Sequence, residues 1–334
     1  MKTLGEMIRK LRTDANIKQA ELAKEVGVSR EKIIRAEGGE ERHNYSLIMG
    51  LSRCLNFDFL AYSLELENFG TTENFELFIR LREAITSYNM VEIAKVISEI
   101  DQISAIKISG REFALFENKN AVLEYWHGKL VLGIDWDREL VTDEAATVEA
   151  AETLLQSLGV IDFKQDIKTL FLRSLSTSEC RVLCVVGAYF GMHGDYDKSQ
   201  LVLEGLAGNL VHYILAEDYA PFYKDDYKIR VLIMTYNNLA ALNFLIEEYP
   251  EALHWCDKGI ETCHIFNYAY TLHMLCMIKF EILYKMERLQ EAHDVYKDTV
   301  ALCRILGIPE YIEYINQKIM DKYPKLELAM IKER

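Results

Sequence analysis

The chain has 334 residues, half of them apolar, with only four prolines and a formal charge of −14. That length suits a small head on a larger body, and scarce proline beside long periodic apolar segments predicts an almost wholly helical protein. The acidity argues at first against nucleic acid, because duplex binding draws on Lys and Arg meeting phosphates. Residues 1–65, however, hold eleven Lys and Arg against ten Asp and Glu, so the negative charge belongs to the remainder.

Met1–Arg12 is charged throughout and lacks the apolar stretch of a signal peptide. No run approaches the ~18 apolar residues of a membrane span, so no membrane partner is expected. The seven cysteines, at 54, 180, 184, 256, 263, 276 and 303, form no CxxC pair and are odd in number. They read as small core residues in a reducing cytoplasm. No metal or cofactor is expected.

In chain order, Leu4, Met7, Ile8 and Leu11 predict a first helix over residues 3–14, with Arg9, Lys10 and Arg12 outside or at its edge. A second runs from about Lys18 to Val26 and stops at Gly27, the residue type that turns left-handed without a Cβ clash. Val28 re-enters the core, Ser29 is a good N-cap, and residues 30–37 make a third helix with Ile33 and Ala36 inward. Two short helices across a glycine turn form a helix-turn-helix. On the third, Arg can read guanine through two hydrogen bonds, Lys can do likewise or bind phosphate, and Glu can accept from cytosine. Base reading and a plain solvated charge both remain open for Glu31.

The stretch QAELAKEVGVSREKIIRAEGG, residues 19–39, resembles the lambda-repressor-like (Xre/Cro) family. That resemblance continues through Leu47, Ile48, Leu51, Leu55 and Phe57. It implies that the helix at 29–37 enters the major groove and that Gln19 clamps a phosphate. Ser29, Arg30, Glu31 and Lys32 would face base edges or flanking phosphates, with Arg35 on the backbone. The following Gly38-Gly39-Glu40-Glu41 departs from the pattern by adding acid near the DNA. Arg42, His43, Asn44 and Tyr45 then either meet phosphates or form a solvated loop.

The body contains internal repeats. Ala252 in EYPEALHWCDKGI aligns with Ala292 in ERLQEAHDVYKDTV, forty residues on, and Ser199 takes the same place earlier. Gly187, Ala240 and Phe280 stand upstream, the last marking a degenerate unit. These segments resemble tetratricopeptide repeats, and weaker helix pairs are expected at about 74–104 and 112–157. The expected layout is a helix-turn-helix domain over 1–66, a linker over 67–72 (ENFGTT), and a tetratricopeptide-like repeat domain over 73–334. The fold class is therefore all-α: the head, then a right-handed α-solenoid of tetratricopeptide-like pairs whose first helices line the concave face.

Arg230, Met234, Asn237, Ala241 and Phe244 recur at offsets of four and three and share one stripe of such a helix. Asn can donate to and accept from a peptide backbone, and Arg can pair with a carboxylate. Met277, Glu281 and Tyr284 follow in the next unit, and Arg181 precedes in an earlier one. The competing reading makes Asn237 or Asn238 an interhelix link and Met and Phe plain core.

A lambda-repressor-like head before degenerate tetratricopeptide repeats resembles the RNPP family of Gram-positive peptide-pheromone receptors. The resemblance lies in domain order and implies a cytoplasmic homodimer binding an inverted-repeat operator in double-stranded DNA. It also implies a short linear signalling peptide in the groove that controls operator affinity, as in quorum sensing. Two alternatives remain: a body that only dimerises or binds a protein partner, and an enzyme with a DNA-targeting head. No phosphate-cradling glycine loop or nucleophile elbow supports the latter, and no enzyme activity is expected.

Overall fold

A computed structural model describes residues 3–39, 45–55, 59, 75–86, 89–105, 119–135, 140–141, 143–216, 226–269 and 271–322. The chain divides after Leu132 into two compact units. The expected linker at 67–72 and the loop residues Arg42, His43 and Asn44 lie outside the described residues, as does the side chain of Tyr45.

The first unit opens with α1 (Leu4–Asp14), α2 (Gln19–Val26), α3 (Arg30–Gly38) and α4 (Tyr45–Leu55). Thr3 starts α1 through a capping box. Its Oγ1 accepts from Glu6 N at 3.2 Å, and its own N–H donates to the Glu6 carboxylate at 2.7 Å. Gly27 ends α2 at φ +76°, and Ser29 opens α3 by accepting from Lys32 N at 3.2 Å. Ile8, Leu22, Ile33 and Leu51 are fully buried together with Phe59. Gly5 permits the close crossing of α1 and α3, since a Cβ there would lie 2.5 Å from the Ala36 carbonyl oxygen.

One expectation fails here. Arg12 does not stand outside α1 but is 9 % exposed, joined to Glu37 of α3. The local period ranks a position by its own helix alone, and this one faces a carboxylate twenty-five residues away.

In the same unit, α5 (Phe75–Thr86), α6 (Met90–Ala105) and α7 (Lys119–Leu132) pack as three mutually touching helices. Arg82 of α5 reaches the fully buried Glu124 of α7 at 3.1 Å. The expected pair at 74–104 corresponds to α5 and α6. Residues 112–157 are not a simple helix pair: the division of the units falls among them, and so does a short antiparallel ladder, β1 (Ile134–Asp135) with β2 (Leu140–Val141).

The second unit continues with α8 (Glu144–Ser157) and α9 (Phe163–Leu170). Then come helix pairs: α10 (Thr177–Met192) with α11 (Tyr196–Ala216), α12 (Asp226–Leu245) with α13 (Tyr249–Phe266), and α14 (Leu272–Lys285) with α15 (Leu289–Leu306). The last described helix is α16 (Pro309–Lys322). From α10 onward each helix packs on its successor, and α10, α12 and α14 also touch in sequence, as the first helices of stacked repeats do.

The turn within each pair recurs residue for residue. Gly194, Glu247 and Glu287 all have positive φ, at +83°, +64° and +59°. The next N–H closes each turn on a carbonyl five residues back: Asp195 to Phe190, Glu248 to Asn243 and Arg288 to Leu283, all at 2.9 Å. Ser199, Ala252 and Ala292 then occupy one buried register at 1 %, 0 % and 0 % exposure. Gly187, Ala240 and Phe280 fill the facing register. A Cβ on Gly187 would meet Leu203 at 2.6 Å, and its carbonyl accepts from Ser199 Oγ at 2.7 Å.

Candidate functional site

Two surfaces carry the residues singled out in the sequence. The first is the outer face of α3. Ser29, Arg30, Glu31 and Arg35 are exposed and Lys32 is half-buried, while Ile33, Ala36 and Glu37 anchor the opposite face. Ser29 spends an oxygen lone pair on its cap and keeps a hydroxyl proton to donate. At the start of α2, the Gln19 amide donates to Glu37 Oε2 at 2.9 Å. An amide nitrogen carries two protons, so the other is available to a phosphate. The six residues thus flank one helix-turn-helix, with three cations, Arg30, Lys32 and Arg35, on α3.

The second surface is a stripe on the first helices of the repeats. On α12, Arg230, Met234, Asn238, Ala241 and Phe244 are half-exposed, whereas most of the remaining described positions are buried. Arg230 lies over the Tyr268 ring at 5.0 Å from its centroid, and Phe244 packs on Tyr249. Asn237 is 7 % exposed, and its Oδ1 has no hydrogen-bond partner among the described residues. A buried amide oxygen left unmatched costs free energy, so a site that supplies an N–H to it gains from doing so. Its neighbour Asn238 differs: it donates to the Cys184 carbonyl at 3.5 Å, a weak link between α10 and α12. The interhelix role therefore falls to Asn238.

The turn register places the remaining stripe residues. Counting back from the positive-φ turns, Arg181, Met234 and Met274 are equivalent, then Cys184, Asn237 and Met277, then Ala188, Ala241 and Glu281. Arg181 and Glu281 are thus brought onto the same stripe as Asn237, both largely buried at 8 % and 7 % exposure. Met277 is 4 % exposed and belongs to an apolar cluster with Phe280 and Leu283, against which Tyr284 packs. Those two side chains are engaged in packing α14 against its neighbours. Tyr268 and the unpartnered oxygen of Asn237 carried no signal in the local sequence, since both depend on residues from other helices.

Five of the seven cysteines are buried, and Cys54 and Cys276 are half-buried. Burial pushes Cys184, Cys263 and Cys276 up to about 11, and Cys256, which donates to the Leu275 carbonyl at 3.0 Å, higher still. Among the described residues, no group of three or more His, Cys, Asp or Glu could hold a metal ion, and no helix is long and apolar enough to cross a membrane.

A tetratricopeptide repeat family model matches residues 232–265, which span most of α12 and α13. No curated protein matches the chain. Among solved structures, Bacillus thuringiensis PlcR in complex with the peptide PapR7 and DNA superposes with a TM-score of 0.58 at 17 % identity, over 94 % of this chain and 99 % of that one. The Streptococcus dysgalactiae pheromone receptor Rgg2 (TM-score 0.48, 16 % identity, 95 % and 100 % coverage) and S. thermophilus ComR in complex with DNA and its signalling peptide ComS (0.48, 15 %, 96 % and 99 %) are more distant. At these identities the likeness concerns the fold: a helix-turn-helix followed by tetratricopeptide-like helix pairs.

Proposed function

We propose that this chain is a transcriptional regulator of the RNPP type, whose binding to an inverted-repeat operator is controlled by a short linear peptide held on the stripe of α10, α12 and α14. Residues 1–66 act as the DNA-binding head and 73–334 as the regulatory and dimerisation domain, working in the cytoplasm and without enzyme activity. The observation that carries this reading is the coexistence in one chain of an exposed Arg30–Glu31–Arg35 face and a repeat stripe with an unmatched, buried Asn237 oxygen. The fold shared with PlcR, solved with both a peptide and DNA, supports the pairing of those two ligands.

The mechanism follows from linkage. A peptide alters DNA affinity only by binding two arrangements of the protein unequally. Stacked helix pairs respond to a ligand along their whole length because each contacts only its neighbours. In a symmetric dimer, a change in that stack alters the spacing of two heads reading two half-sites.

The test is fluorescence anisotropy of the full chain on DNA fragments from its own genomic neighbourhood, with and without short synthetic peptides encoded beside the gene. Salt-sensitive binding to one fragment, shifted by one peptide, is expected. Retention of no fragment would overturn the DNA assignment. A retained fragment indifferent to every peptide would favour a body that only dimerises or binds a protein partner.

A further inference from the structure

Helix α3 turns Arg30, Glu31, Ile34, Arg35 and Gly38 outward. Ile34 is the outlier of that set. It remains 42 % exposed on a helix whose other isoleucine, Ile33, is completely buried. It stands four residues after Arg30, three after Glu31 and one before Arg35, so it sits in the middle of the polar face and not at its margin. The head core does not need it there, because Ile33 and Ala36 already fill the contact with α1 and α2.

We propose that Ile34 selects a T·A base pair by packing on the thymine 5-methyl group in the major groove. The floor of that groove offers donors, acceptors and one apolar group, the thymine methyl. A side chain that cannot hydrogen-bond distinguishes only the last of these. Arg30 and Arg35 on either side exclude water from the same patch once they meet bases or phosphates, so the isoleucine and the methyl are dehydrated together. Ile34 lies about 6 Å along the helix axis from Arg30, which puts its thymine within about two base-pair steps of the position Arg30 reads. This rests on the DNA-reading proposal above and adds an apolar determinant that Arg30, Glu31 and Lys32 do not supply.

The experiment has two stages. The full chain and its Ile34→Ala variant, matched for thermal melting, each select binding sites from a random duplex library. Every thymine in the selected site is then replaced singly by deoxyuridine, which lacks only the methyl. One thymine is expected whose replacement weakens the parent protein about fourfold, the worth of one buried methyl-sized group, and leaves Ile34→Ala unchanged. The variant should also lose its preference for T there. Equal losses for both proteins at every position, or a selected site without thymine, would overturn the proposal. An unchanged selection together with altered sedimentation of the DNA-free variant would assign Ile34 to a protein contact instead and equally overturn it. Failure of the parent protein to select any sequence would remove the DNA-reading assignment itself.

Discussion

Glu37, on the last turn of α3, accepts two hydrogen bonds from the guanidinium of Arg12 on α1, through Nε to Oε1 and through Nη2 to Oε2 at 3.1 Å. The same Oε2 takes the Gln19 amide of α2, and Arg12 Nη1 donates to the Ile17 carbonyl at 2.9 Å. One buried carboxylate thus ties α1 to both helices of the helix-turn-helix, α2 and α3. Arg12→Met would strand that carboxylate and should destabilise the head by about 3 kcal/mol. The double change Arg12→Met with Glu37→Leu should recover most of the loss, because replacing both partners by apolar groups is near neutral. Hydrogen exchange of amides in α1–α3 within the full chain measures both, and equal losses for single and double variants would count against the pair.

Gly5 sets the distance between α1 and α3. A Cβ there would overlap the Ala36 and Glu37 backbone, which cannot rotate away as a side chain can. Gly5→Ala should therefore cost about 1–3 kcal/mol despite the better helix propensity of alanine. Thermal melting followed by a probe in the head reads the sign directly.

On the outer face of α3, Arg30→Ala and Arg35→Ala should separate in kind. If Arg30 reads a base, its loss relaxes specificity at one position at a cost of about 1–3 kcal/mol. If Arg35 holds phosphate, its loss weakens all sequences alike and lowers the salt slope by about one unit. Binding isotherms at several salt concentrations on matched and mismatched sites distinguish the two.

The neighbouring asparagines of α12 should behave oppositely. Asn237→Ala removes an oxygen that has no partner among the described residues, so the melting temperature should hold or rise while any peptide response is lost. Asn238→Ala removes the link to Cys184 and should destabilise the second unit by about 0.5–1 kcal/mol. Calorimetry with the responding peptide, beside thermal melting of each variant, would show whether the two effects separate.

The buried thiols imply a pH dependence. In the fold, Cys184, Cys263 and Cys276 ionise near 11, above the ordinary thiol value of 9.0. A group whose pKa is raised on folding contributes stability fully below its unfolded value and loses it as pH climbs toward the folded one. Stability should therefore be level up to about pH 8 and decline between 9 and 11. At pH 8 these thiols should resist maleimide until denaturant is added, since the thiolate is the reactive form. Rapid native-state labelling of Cys184 or Cys263 would contradict the assignment.

Much of this architecture was legible in the residues because the signals were local. Ser29 capping, the Gly27 turn and the inward Ile33 and Ala36 each depend on a few neighbouring positions, and each occurs where its type indicated. The forty-residue alignment of Ala252 with Ala292 was legible for the same reason. What escaped was pairing at a distance. Arg12 reads as a surface charge until Glu37 is brought beside it, and Met277 reads as part of a ligand stripe until α16 closes over its cluster. The ladder of β1 and β2 was missed because two-residue strands leave no periodicity to detect.

The recurring turn at Gly194, Glu247 and Glu287 has a consequence for how this protein can be altered. Glutamate in a left-handed conformation costs about 1–2 kcal/mol, and glycine returns part of that in chain entropy. Glu247→Gly and Glu287→Gly should each raise stability by about 0.5–1 kcal/mol. The turns are also interchangeable joints: each is closed by the same five-residue hydrogen bond and followed by a small residue in the same buried slot. Excising the forty residues from one glutamate to the next would splice an intact joint onto an intact joint. Such a chain should still fold, one module shorter, with the stripe on its first helices cut at a seam between modules and its head untouched.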